Sequence, residues 1–67
     1  MRPQKEWVEG CIGLRLFRDP TGSMSSYMVV AYWVDDPHGP ATWGYAPFAW
    51  LARRRAIAAL AKMAQRN

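Results

Sequence analysis

The chain has 67 residues, with nine Lys or Arg against five Asp or Glu, a formal net charge of +4, and a single cysteine and a single histidine. Its length allows one domain, residues 1–67, whose core buries only about 60% of the surface that the unfolded chain exposes. A lone cysteine excludes an intrachain disulfide, and Cys11 with His38 cannot supply the four ligands of a structural zinc site, so no metal and no cofactor is expected.

Residues 1–6 carry basic groups with no apolar run behind them; they read as a flexible N-terminal segment and not as a signal peptide. Two matching segments then punctuate the sequence, Asp19-Pro20-Thr21-Gly22 and Asp36-Pro37-His38-Gly39. Each has the chemistry of a type I turn closed by a glycine bulge: Asp bonds its own backbone, Pro presets φ, and Gly takes the left-handed position. Such turns join antiparallel strands, which places strands at about Trp7–Arg18, Met24–Asp35 and Ala41–Ala46.

If Asp19 closes on Ser23, Leu14 pairs with Met28, Ile12 with Val30 and Val8 with Val34, and Gly10 leaves room for the Tyr32 ring. One sheet face is then apolar, with Val8, Ile12, Leu14, Leu16, Met28, Val30, Tyr32 and Val34. The second turn, closing Asp36 on Pro40, sets Trp33 against Trp43 and Ala31 against Tyr45.

From Pro47 to Gln65 the residues are good helix formers, with Pro47 suited to the first helical position. Residues spaced 100° apart place Trp50, Ala56, Ile57, Leu60, Ala61, Met63 and Ala64 on an apolar arc. Arg54, Arg55, Lys62 and Arg66 lie across from it with Leu51, and Arg53 must snorkel or pair at the edge of the arc. The fold expected is α+β: a three-stranded antiparallel β-meander with one C-terminal helix packed on one face (βββα). Arg53, Arg54 and Arg55 in the middle of the apolar stretch argue against a membrane span, and the lone thiol suits a cytoplasmic location.

One helix covers one sheet face, so the other face is expected to be open to solvent. In this register it carries Arg15, Tyr27, Trp33, Trp43 and Tyr45, with Trp7, Glu9, Cys11, Phe17, Val29 and Ala31. An apolar patch of that extent marks a binding surface. The basic helix residues Arg54, Arg55, Lys62 and Arg66 are the second candidate set, suited to phosphates or to an acidic protein surface. No catalytic residue is expected. Cys11 and His38 are too far apart to form a nucleophile–base pair, Asp35 and Asp36 point to opposite faces, and no glycine-rich phosphate loop is present.

Three strands followed by a helix, with Arg15, Trp33 and Trp43 on the open sheet face and Ala56–Ala64 behind, resembles the layout of AP2-type and integrase arm-type DNA-binding domains. The resemblance spans Trp7 to Ala64 and implies a sheet laid in the major groove. The expected function is therefore a small basic, non-enzymatic binding module for nucleic acid, DNA above all, with a regulatory or mobile-element role. The alternative is a small protein-interaction factor, an inhibitor or adaptor, that uses the aromatic sheet face. In both readings a homodimer is an expected state, since self-association covers apolar surface.

Overall fold

Gly10 reverses the chain in the middle of the segment expected to be one strand. The computed structural model describes residues 2–18 and 27–65. In it Lys5–Glu9 (β1) and Ile12–Arg18 (β2) form a hairpin in which Glu9 pairs with Ile12. Only Gly10 and Cys11 lie between them. Gly10 has φ +62°, and among the described residues no other has a positive φ. Glycine at the first central position is what a II′ turn requires, and that turn matches the twist of the strands it joins. The sheet therefore has four strands and not three, continuing with Tyr27–Trp33 (β3) and Ala41–Ala46 (β4) in the antiparallel order β1-β2-β3-β4. The C-terminal helix is α1, Ala49–Ala64, preceded by Phe48 in extended conformation. Pro47 thus lies outside the helix, two residues before its first turn.

The register differs from the expected one by three residues at both later junctions. Leu14 pairs with Ala31, Ile12 with Trp33 and Arg18 with Tyr27. Trp43 pairs with Val30, and Tyr32 with Ala41. At the second junction the reason is visible. The Asp36–Gly39 turn does form, with the Gly39 N–H bonded to the Asp36 carbonyl at 3.0 Å. A second turn precedes it, in which the Asp36 N–H bonds the Trp33 carbonyl at 3.0 Å. The connection is thus a seven-residue loop, 34–40, and not a tight hairpin. The first predicted turn, residues 19–22, lies outside the described residues.

An odd shift turns β3 over. Val29 and Ala31 point into the core, flanked by Tyr27 and Trp33, while Met28, Val30 and Tyr32 face outward. In β1 the reversal at Gly10 likewise turns Trp7 and Glu9 inward and Val8 outward. Leu14 is fully buried, as expected, together with Val29, Ala31, Ala46, Ala52, Ala56 and Leu60.

The helix lies on β3 and β4 because both surfaces there are small. Ala52, Ala56 and Leu60 recur every four residues along one stripe. Beneath them β4 presents Thr42, Gly44 and Ala46, all buried. A Cβ at Gly44 would stand 2.6 Å from the Ala52 carbonyl oxygen and 2.7 Å from the Ala56 nitrogen, so only glycine permits this approach. Beside it the Thr42 hydroxyl donates to the Ala56 carbonyl at 2.8 Å. Trp50, expected on the apolar arc, is instead 61% exposed, and Leu51, expected among the basic residues, packs against the core.

Candidate functional site

The face of the sheet away from α1 is built of three cross-strand rows. The first runs Val8, Gly13, Tyr32, Ala41; the second Glu6, Arg15, Val30, Trp43; the third Phe17, Met28, Tyr45. Gly13 leaves the space that the Tyr32 ring occupies, the role the sequence suggested for Gly10. The only charges in these rows are Glu6 and Arg15, which pair with each other at 2.9 Å. The Arg15 guanidinium also lies over the Tyr32 ring, 4.9 Å from its centroid. The surface is therefore apolar and aromatic, with its one cation already neutralised.

Large exposed apolar side chains are most frequent along β4 and in the residues that follow it, with Val8 on β1, 58% exposed, at the opposite edge of the face. Trp43 and Tyr45 are 60% and 49% exposed, and Phe48 and Trp50 follow within five residues at 56% and 61%. The rings of Phe48 and Trp50 stack with centroids 6.3 Å apart. The expected residues Arg15, Trp43 and Tyr45 are brought together on this face. Tyr27 and Trp33 are not: both lie on the helix side, packed against the core. The register shift is the reason. Sequence reasoning missed Phe48 and Trp50, because placing the helix start at Pro47 gave Trp50 to the apolar arc. The absence of any polar N-cap before Ala49 was the available signal that the chain enters this helix on exposed apolar residues.

Positive charge sits in the other layer. Residues Ala49–Ala64 include Arg53, Arg54, Arg55 and Lys62 and no acidic residue. Arg54, Arg55 and Lys62 are exposed. Arg55 Nη1 donates to the Tyr45 carbonyl at 2.7 Å. Arg66 lies outside the described residues. Arg53 does pair at the edge of the apolar arc, as its position required. Its Nε donates to Glu9 Oε2 at 2.6 Å and its Nη2 pairs with Glu9 Oε1. Trp7 Nε1 donates to the same carboxylate at 2.7 Å, so Glu9 ties the first strand to the helix.

That tie is sensitive to acid. The hydrogen bonds from Arg53 and then from Trp7 hold the Glu9 carboxyl down at about 2, from an ordinary 4.5, with partial desolvation opposing them. A carboxylate depressed in the folded state stabilises the fold fully above its unfolded value, and the contribution is lost as pH falls toward the folded one. Both side chains are more than a third exposed, so salt weakens the pair. Glu9→Gln is expected to lower the melting temperature at neutral pH, and the gap to the native chain is expected to close between pH 4.5 and 2. Thermal unfolding of both proteins across that range checks this; a gap that stays constant would mean that Glu9 acts by shape and not by charge.

Cys11 is exposed at the β1–β2 turn and His38 is exposed in the 34–40 loop. Among the described residues no group of three potential metal ligands occurs, and no helix is long and apolar enough to cross a membrane. Arg15 and Trp43, two of the three strand residues behind the likeness to AP2-type and integrase arm-type domains, face outward as that likeness implied, while Trp33 does not, and a fourth strand is added. No protein-family model, no curated protein and no solved structure matches this chain.

Proposed function

We propose that the protein is a small protein-interaction module whose docking surface is the outer sheet face and its β4 rim. The observation that carries this is the run of exposed aromatic residues Trp43, Tyr45, Phe48 and Trp50 beside an apolar sheet face. Trp and Tyr dominate the central residues of protein interfaces, because they bury large areas at small entropic cost. Arg15, the one cation in the described cross-strand rows of the face, is held by Glu6, so phosphates would find little there to bind.

The nucleic-acid reading rests on a different observation, the acid-free helix with Arg54, Arg55 and Lys62 exposed. Phosphate contacts through that layer would leave the aromatic face on the far side of the molecule. Binding would then be salt-labile and indifferent to sequence.

Affinity capture from nuclease-treated lysate of the source cells, with the native chain and two variants, separates these readings. The expected result is one defined protein that is retained by the native chain and by an Arg54→Gln/Lys62→Gln variant, and lost with Trp43→Ser. A retained species that nuclease removes, and that depends on the helix charges, would replace the proposal by the nucleic-acid reading. Sedimentation of the free protein at micromolar concentration tests the homodimer: a dimer dissociated by Trp43→Ser would make a second copy the occupant of the face.

A further inference from the structure

Among the described residues the sheet has two edges, and they are unlike. The β1 edge carries Lys5, Glu6 and Glu9, charges of the kind that natural edges use against unwanted pairing. The β4 edge, Ala41–Ala46, is bracketed by Pro40 and Pro47, but its six residues include neither charge nor proline, and two of them are exposed aromatics.

Parity identifies the free backbone groups of β4. In a two-residue hairpin the residues flanking the turn, here Glu9 and Ile12, exchange both hydrogen bonds. Alternation across the sheet then directs the N–H and C=O groups of Thr42, Gly44 and Ala46 toward β3 and those of Ala41, Trp43 and Tyr45 away from it. The Tyr45 carbonyl agrees with this assignment, since it accepts a hydrogen bond from Arg55.

We propose that this edge is a strand-addition site for an extended peptide segment in which apolar and acidic residues alternate. The inference rests on the protein-interaction reading and specifies its partner. Strand addition draws affinity from main-chain hydrogen bonds and specificity from the alternating side chains. Side chains of one parity would extend the outer face beside Trp43 and Tyr45, which calls for apolar groups. Those of the other parity would lie beside the helix, next to Arg55. Lys62, seven residues on, lies along the same helical stripe, and α1 has no acidic residue to compete. Arg55 at present occupies the Tyr45 carbonyl that an incoming N–H needs. A carboxylate on the added strand gives its guanidinium another partner and releases that acceptor. A second copy of β4 fits poorly, because pairing about a two-fold axis sets Arg55 of one copy near Arg55 of the other.

The test is a titration of the isotope-labelled protein with a blocked heptapeptide of alternating valine and glutamate, followed by amide chemical shifts. Shifts centred on Ala41, Trp43 and Tyr45 are expected. Binding should weaken by about tenfold or more when lysine replaces glutamate, consistent with loss of charge-assisted hydrogen bonds. It should vanish when alternate peptide nitrogens are methylated, and Arg55→Gln should reduce the preference for glutamate over lysine. Equal binding of the methylated peptide, equal binding of the lysine peptide, or shifts that avoid β4 would overturn the proposal. So would β4 shifts that appear on concentrating the protein alone, which would make a second copy the occupant. If the peptide fails while Trp43→Ser still abolishes partner capture, strand addition falls and the interaction module stands; if both fail, both fall.

Discussion

Gly44→Ala will unfold this protein or reduce its stability by about 3 kcal/mol or more, at or above the upper end of ordinary overpacking costs. The added methyl group meets the Ala52 carbonyl oxygen at 2.6 Å and the Ala56 nitrogen at 2.7 Å. Both atoms belong to a hydrogen-bonded helix turn, which cannot move aside as a side chain does. The helix must lift from β4, which opens the contact of Ala52 and Ala56 with the sheet and stretches the Thr42 bond to Ala56. A domain of this length has roughly 3–10 kcal/mol in total. Gly13→Ala is the informative control. Its nearest neighbours would be atoms of the Tyr32 side chain, on an open face where the ring can swing away. Urea denaturation of the two variants should show a large loss for the first and a small one for the second; equal losses would place the constraint in the strands and not in helix docking.

Leu14→Ala is expected to cost about 2–5 kcal/mol. Leu14 is fully buried in the middle of β2, between Trp7 on β1 and Ala31 on β3. Alanine there leaves a void walled by strands that are fixed in register, so the site can collapse only partly. Trp43→Ala, by contrast, removes a much larger side chain that is 60% exposed on an edge strand, and its effect on stability should be several-fold smaller. Denaturant midpoints with unchanged slopes would confirm the ranking. A Trp43 variant as unstable as the Leu14 variant would mean that the outer face is already covered in solution.

What the sequence made legible was the class of each element. The turn chemistry of Asp36–Gly39, the strand composition of Val29–Trp33, and the Ala- and Leu-rich helix each identified their structure. The inward position of Leu14 and the outward positions of Arg15, Trp43 and Tyr45 also followed from alternation. Register did not, because β3 reads Tyr-Met-Val-Val-Ala-Tyr-Trp and is apolar on both faces. In such a strand a shift by an odd number of residues changes no polarity, so the pattern cannot object to it. Everything then depended on loop length, and two consecutive turns at 33–39 lengthen the loop beyond the tight hairpin that Pro37 and Gly39 suggested. Tyr27 and Trp33 went to the wrong face because the register shifts by three residues at both junctions, and the 34–40 loop accounts for the second. Size carried the missing information: Thr42, Gly44 and Ala46 alternate with Trp43 and Tyr45, and only the small set can lie under the Ala52–Ala56 stripe.

The order of elements along the chain also has a consequence for the order in which the molecule can fold. Every strand pairs with its neighbours in sequence, so each hairpin can close from local contacts as it emerges, without waiting for distant residues. The helix that covers the inner face is made after all four strands. A chain whose strands have paired before the helix docks shows two apolar faces and an uncovered β4 edge. The Thr42 hydroxyl and the space above Gly44 both wait for Ala56 to arrive. The aromatic residues of β4 are thus a liability until the helix has docked. Refolding from denaturant at rising protein concentration should therefore lose a growing fraction of chain to aggregation.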